Sequence, residues 1–383
     1  MATTVKRRKK KKVRIRYGNL ALVLAGLLMI VLFLVWIFSP KDKPNDTPKD
    51  PASTGDGQYD DIADLPPEDE TPGGMTTDPT LQTSYVFTSV SVTESDLGIG
   101  PLALVNNNIE YRGHVSESDL VVVREGKNSA YKIKDYSVLV RKETLDNLNN
   151  MMLDFFTVKQ NDDVMVISGH RTVEYQAELY QDELEETGLE TSSLVSRPGY
   201  SEHHTGYVID FKIYDDDGKS YEFDGTGDCE WIMQNCHKYG FINRYPLGKE
   251  KITLIDNEPW HFRYVGKVHA GIITEYDFCM EEYIEFLKNY TTETGFLKAE
   301  TDDGKTYIIY YVPMVDPEHT TVFLPIIGDG TVDKTPYPYE ISGNNIDGWI
   351  VTVDITAFGS DVVELNPTPA VTEATEAEEN TEE

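Results

Sequence analysis

Leu20 to Phe38 is a run of nineteen residues without a charge, dominated by Leu, Val and Ile. At a rise of ~1.5 Å per residue it reaches ~30 Å, the thickness of a bilayer's hydrocarbon core. Lys6-Arg7-Arg8-Lys9-Lys10-Lys11-Lys12 stands directly before it, and basic residues flanking an apolar span stay on the cytoplasmic side. A cleaved signal peptide would carry a shorter apolar region and a small-x-small site, which Trp36-Ile37-Phe38-Ser39-Pro40 does not offer. The sequence therefore predicts a cytoplasmic basic tail (1–18), a single-pass membrane anchor (19–38) and an extracellular remainder.

Charge is distributed to match. Nine of the 34 Lys and Arg residues lie between Lys6 and Arg16, leaving 25 basic against 66 acidic residues after Phe38, a net of −41. A body so acidic lacks the clustered cations that phosphate neutralisation requires, which argues against nucleic-acid binding. The three cysteines, Cys229, Cys236 and Cys279, form no C-x-x-C pair and read as ordinary buried thiols.

Residues 39–83 are rich in Pro, Asp, Thr and Gly and have no hydrophobic periodicity, so the sequence predicts a disordered linker. Residues 366–383, with Thr-Glu repeats, predict a disordered acidic tail. Between them the signals are globular. Leu145, Leu148, Met152, Phe155 and Phe156 recur at helical spacing and predict a helix over Lys142–Lys159. A buried strand follows at Val164–Ile167, then a helix over Val173–Thr187 ending at Gly188. Tyr207, Ile209, Phe211 and Ile213 alternate with Val208, Asp210 and Lys212, the pattern of a strand with two distinct faces. A helix around Glu230–Tyr239 leads past Gly240 to a strand at Phe241-Ile242, and Asp277 is a candidate cap for a helix running to Lys288. Helices flanking an irregular sheet imply an α+β fold for residues 84–290. From 291 to 365 hairpin and strand signals, with Asp303-Gly304 at a turn, predict a small β-rich appendage.

Two short segments carry the chemistry: Ser201-Glu202-His203-His204-Thr205-Gly206-Tyr207-Val208-Ile209-Asp210 and Glu258-Pro259-Trp260-His261. Two imidazoles and a carboxylate are what a catalytic zinc asks of a protein, with its fourth position open, and His203, His261 and Asp210 are the candidates to supply them. Asp210 stands on the strand face opposite Ile209 and Phe211, and Gly206 permits the chain to turn between His203 and that strand. Pro259 excludes a helix through Glu258 and His261. On a regular strand residues three apart face opposite sides, so this segment must be irregular if both point inward. Glu258 is then placed as a general base rather than a further ligand. Spacing alone leaves open the alternative that these are surface or hydrogen-bonded core residues.

Together with Ser168-Gly169-His170-Arg171-Thr172, these segments occur in the order seen in zinc D-alanyl-D-alanine carboxypeptidases of the VanY type, which this chain resembles. Gln176, Arg197-Pro198-Gly199, Gly240-Phe241-Ile242 and Arg244-Tyr245-Pro246 fit the same pattern, and the resemblance extends from Leu102 to Leu287. It implies one zinc ion held by His203, Asp210 and His261, with Glu258 as catalytic base. Arg171 is implied to grip substrate and stabilise the oxyanion, and Ser168, Gln176 and Ser201 to line the substrate pocket. The implied substrate is the D-Ala-D-Ala end of a peptidoglycan stem peptide, and the activity should resist β-lactams and fall to chelators. His170 and His204 depart from the family pattern. His204 competes with His203 for the ligand role, but the seven-residue step to Asp210 favours His203. Rival expectations are an L,D-carboxypeptidase trimming tetrapeptides, a non-catalytic wall-binding protein and a structural envelope linker. Intact ligands and base count against the last two.

Overall fold

A computed structural model describes residues 86–327 and 334–356, all within the unit Pro67–Glu383. The basic tail, the apolar run 19–38, the linker and the acidic tail lie outside the described residues. Among the described residues no helix is long and apolar enough to cross a membrane.

In chain order the strands are β1 (Phe87–Val92), β2 (Leu120–Val122), β3 (Lys132–Ile133), β4 (Leu139–Arg141), β5 (Val164–Ser168), β6 (Val208–Tyr214), β7 (Ser220–Glu222), β8 (Phe241–Tyr245) and β9 (Glu258–Tyr264). The C-terminal strands are β10 (Leu297–Glu300), β11 (Thr306–Pro313), β12 (Thr320–Pro325), β13 (Tyr339–Gly343) and β14 (Gly348–Asp354). The principal helices are α1 (Lys142–Lys159), α2 (Val173–Thr187), α3 (Glu230–Asn235), α4 (Lys267–Glu275) and α5 (Met280–Leu287). This is the expected α+β architecture.

A mixed sheet of order β3-β5-β6-β9-β8, with β7 also on β6, forms the centre. Its β3–β5 pair is parallel, and the other pairs are antiparallel. Helix α1 covers one face with the residues whose period announced it. Leu145, Leu148, Met152 and Phe155 pack with Val164, Val166, Ile209, Phe211 and Phe262 in one buried cluster. Each large apolar side chain so buried contributes roughly 1.5–3 kcal/mol. The α2 helix starts after Thr172, whose Oγ1 accepts the backbone N–H of Tyr175 at 3.2 Å, and stops as expected at Gly188 with φ +69°.

Strands β10, β11, β14 and β13 build a second antiparallel sheet in that order. The period-2 rule decides its packing. Trp349, Val351 and Val353 of β14 enter a cluster with Val92, Val322 and Leu324 of the β1–β12 pair. From the other face Ile350 packs among Val268 and Ile272 of α4 and Tyr283 and Ile284 of α5. Strand β1 thus lies on the C-terminal layer, paired antiparallel with β12.

Two helical expectations are corrected. Helix α5 begins at Met280 with Cys279 at the cap position, where its backbone N–H donates to Glu282 Oε2 at 2.8 Å. Asp277 instead takes φ +53° in the turn between α4 and α5. The stretch Glu230–Tyr239 divides into α3 and a 3-10 turn, Cys236–Tyr239, ended by Gly240 at φ +84°. All three cysteines are free and buried.

Candidate metal centre and active-site cleft

Pairing across β5, β6 and β9 sets Asp210 beside both Ser168 and His261. Each neighbouring strand is irregular where the chemistry sits. Register slips between Val166 and Ser168 of β5, and opposite β9 it slips between Asn243 and Tyr245 of β8. In the second case two steps along β8, from Asn243 to Tyr245, correspond to four along β9, from Phe262 to Glu258. The bulge re-aims the strand, so that Glu258 and His261 converge, with Oε2 and Nδ1 3.3 Å apart. The irregularity required by the sequence is therefore present. Asn243 holds it open, its Nδ2 donating to the carbonyls of Glu258 at 2.8 Å and His261 at 3.2 Å.

His203 reaches the same point from the 3-10 turn Glu202–Thr205, which Ser201 caps and Gly206 ends at φ +77°. A side chain at Gly206 would be strained by that φ and would also press on Leu120. The His203 ring sets its Nδ1 2.6 Å from the Gly169 carbonyl and its Nε2 3.2 Å from Asp210 Oδ2. Since a carbonyl only accepts, Nδ1 carries the proton and Nε2 offers its lone pair to the cluster. His261 Nδ1 lies 3.2 Å from Asp210 Oδ1. All three side chains are buried, and their ligand atoms lie within 4.8 Å of one another.

This arrangement fits a small divalent cation. Zinc bonds of ~2.0–2.1 Å at tetrahedral angles hold ligand atoms ~3.3 Å apart; here each imidazole nitrogen lies 3.2 Å from one of the two Asp210 oxygens. Asp210 Oδ1 is buried without a hydrogen-bond partner, an arrangement that is costly unless a cation completes it. Electrostatics agree. Burial would raise the Asp210 carboxyl, but His203, His261 and Arg171 outweigh it and hold the group well below the usual range. Burial would lower the His261 imidazole, yet the Asp210, Glu202 and Glu258 carboxylates raise it well above its usual range. The Glu258 carboxyl is raised by burial, with His261 opposing.

Arg171, in the loop after β5, donates from Nη2 to Asp210 Oδ2 at 2.7 Å and from Nε to Ser168 Oγ at 2.9 Å. Gln176 lines the cleft and donates to the Ser196 carbonyl at 2.8 Å, so it also fixes the opposite wall. Ser201 lines the cleft; Ser168 touches it only through Arg171. The cleft encloses about 220 Å³, and Leu194, Val195, Ile255 and Trp260 supply its apolar side. That is below the ~300–1,000 Å³ typical of sites for drug-sized molecules, and suits a chain end rather than a whole ligand.

His204 is excluded as a ligand by its own bonds. Its Nδ1 meets the Arg171 carbonyl at 2.8 Å and its Nε2 accepts the Gly199 N–H at 3.1 Å, so it braces two loops. His170 makes no contact with the cluster; burial, then His204 and Arg141, lower its pKa to about 4.

Sequence reasoning assigned no role to Glu202, Asn243, Arg244 or Arg263. Glu202, Arg244 and Arg263 are wholly buried in an ion network that reaches His261 of the triangle. The available signal was a charged residue inside an apolar strand, Arg244 within Phe241–Tyr245 and Arg263 within Trp260–Tyr264. Such residues are buried only with partners.

Residues 137–267 match the VanY family, described as D-alanyl-D-alanine carboxypeptidase. A D-alanyl-D-alanine carboxypeptidase of Enterococcus faecium is 34% identical over 267 residues, which cover 69% of this chain and 78% of that protein. The bifunctional D-Ala-D-Ala dipeptidase and D-Ala-D-Ala carboxypeptidase VanXYC of Enterococcus gallinarum is 42% identical over 129 residues, covering 33% of this chain and 68% of that protein. Among solved structures, the vancomycin resistance D,D-dipeptidase VanXYg, in complex with a D-Ala-D-Ala phosphinate analogue, superposes with a TM-score of 0.60 at 30% identity, over 70% of this chain and 99% of that one. The chain belongs to the VanY family of D-alanyl-D-alanine carboxypeptidases.

Proposed function

We propose that this protein is a zinc carboxypeptidase that removes the terminal D-Ala from peptidoglycan stem peptides ending in D-Ala-D-Ala. The observation that carries the reading is the buried His203–Asp210–His261 triangle, with an unpartnered Asp210 oxygen, beside Glu258 and below Arg171. Zinc held by His203, Asp210 and His261 would supply the Lewis acidity that makes water a nucleophile at neutral pH.

The protein's own groups do the rest. Glu258 stands at the edge of the triangle, where it takes a proton from the attacking water and returns it to the departing D-Ala amine. Arg171 presents a planar fork of donors at the mouth, matched to a peptide's terminal carboxylate or to the oxyanion formed on attack. Ser168 and Gln176 hold the guanidinium, with Gln176 the weaker partner at 3.4 Å. Leu194, Val195, Ile255 and Trp260 exclude water from around the small methyl groups of the substrate.

Release of D-Ala from a stem pentapeptide, measured with zinc, with chelator and after zinc is restored, tests this assignment. Activity that disappears with chelator and returns with zinc supports it. No release from the pentapeptide, with trimming of the tetrapeptide instead, replaces it by the L,D-specific reading.

The same proposal includes the anchor. The charge-free run Leu20–Phe38 behind Lys6–Lys12 supports a single membrane span with the catalytic region outside. Digestion of intact cells by an external protease should remove the catalytic region and leave a membrane-bound stub. Protection of that region would overturn the topology.

A further inference from the structure

Glu202 precedes the ligand His203 in sequence but sends its carboxylate behind the other imidazole, that of His261. It is wholly buried. Its Oε1 receives Arg244 Nε at 2.8 Å and lies 3.0 Å from Arg263 Nη1. Its Oε2 has no hydrogen-bond partner, and neither has His261 Nε2. These two atoms lie 3.6 Å apart, an ion-pair distance, and each is the complement the other lacks.

The network around this contact extends through both guanidiniums. Glu281 of α5 chelates the far end of Arg244, with Nη1 to Oε2 at 2.9 Å and Nη2 to Oε1 at 2.7 Å. Asn106 donates to Glu281 Oε1 at 3.0 Å, and Arg263 Nη2 donates to the Pro101 and Ala103 carbonyls at 2.9 and 3.0 Å. Two guanidiniums offset two carboxylates, so Glu202 keeps its charge away from water. Four parts of the chain, β8, β9, α5 and the 101–106 segment, hold it in place. On the Nδ1 side stand Asp210 and Glu258, at 3.2 and 3.3 Å. With a cation on that side, a fixed carboxylate at Nε2 keeps the one remaining ring proton there and leaves the Nδ1 lone pair for the ion.

We propose that Glu202 is a positioning residue: it fixes the tautomer and orientation of His261 so that Nδ1 is presented to the metal. The inference rests on the zinc reading above. Removing an orienting partner of this kind typically weakens metal binding ~10–100-fold.

Glu202→Asp is the informative variant, because it retains the charge that Arg244 and Arg263 need and withdraws the carboxylate by one methylene. Zinc affinity is read by competition with a chromophoric chelator, and folding of the metal-free protein by circular dichroism. The expected result is a 10–100-fold loss of affinity, with a larger fall in kcat than rise in KM. Ile308→Ala, an equally buried change in the C-terminal layer, should lower thermal stability and leave zinc affinity within twofold. Wild-type protein that binds no zinc overturns the zinc reading, and this assignment with it. Zinc binding by Glu202→Asp within twofold of wild type, or an equal affinity loss in Ile308→Ala, overturns the assignment alone. A second measurement needs no variant: in zinc-loaded wild type, nitrogen-15 NMR of the imidazoles should find the His261 proton on Nε2. Coordination through Nε2 would refute the proposal.

Discussion

Two regions of this molecule fill their interiors in different ways. Around the His203–Asp210–His261 triangle, buried space is filled by ionisable side chains, with Arg244, Arg263 and Glu202 beside the three. In the C-terminal layer, comparable space holds Phe296, Ile308, Val322, Leu324, Trp349 and Val351. An apolar cluster tolerates loss of a side chain at the cost of a cavity. An ion network does not, because deleting one charge strands its partner away from water. The zinc reading proposed above accounts for this risk: a ligand would have to be aimed, and a directional bond aims it where apolar packing does not.

That contrast is sharpest at the base. Glu258→Gln keeps the shape of the side chain and removes its proton chemistry, so D-Ala release should fall ~10²–10⁴-fold, the range for general acid–base catalysis. Zinc content and melting temperature should stay near wild type. Retained turnover in a zinc-loaded Glu258→Gln protein would remove Glu258 from the mechanism.

Next in size is a pair of stability changes. Arg263→Met leaves Glu202 with one guanidinium and should cost about 3–5 kcal/mol. Ile308→Ala should cost about 2–5 kcal/mol. Denaturant unfolding would place these two side by side, but only Arg263→Met should also reduce zinc retention. A tenfold drop in kcat/KM for folded Ile308→Ala would show that the layers are not independent.

The smallest effect tests the polar joint between the layers. His269 of α4 contacts Tyr283 Oη at 2.6 Å and Thr352 Oγ1 of β14 at 2.9 Å. Burial lowers its pKa to about 3. The unfolded chain protonates this histidine below about pH 6.5 while the folded one does not until about pH 3. Stability should therefore decline as pH falls through that window, by up to ~1.4 kcal/mol per pH unit from this group. His269→Gln should flatten the slope, and an unchanged slope in urea titrations from pH 6.5 to 4 would show that the ring is not held neutral.

Much of this was readable from local order. Helices α1 and α2 span the residues their periodicity and capping announce. The meeting of His203, Asp210 and His261 was legible because His203, Gly206 and Asp210 form one turn and one strand, and because the three-residue step from Glu258 to His261 required an irregular β9. What escaped lies in contacts between distant segments. Asn243 clamps a bulge on a neighbouring strand, and nothing near it in sequence marks the carbonyls it meets. Glu202 has the composition of a surface residue, and only the convergence of β8, β9 and α5 makes it an interior one. The β1–β12 pairing has no local signature, since a strand's alternation does not name its partner.

The β1–β12 pair also orders events in time. Phe87 meets Pro325 and Val92 meets Thr320, so the strand that opens the described region has no partner until residues 320–325 have emerged from the ribosome. Joining segments so far apart carries a loop-closure cost that grows as ~1.5 RT ln n, and contacts of such long range form slowly. Until then the inward face of β1 is uncovered. During synthesis, that edge is where a chaperone would bind or a misassembled copy would begin.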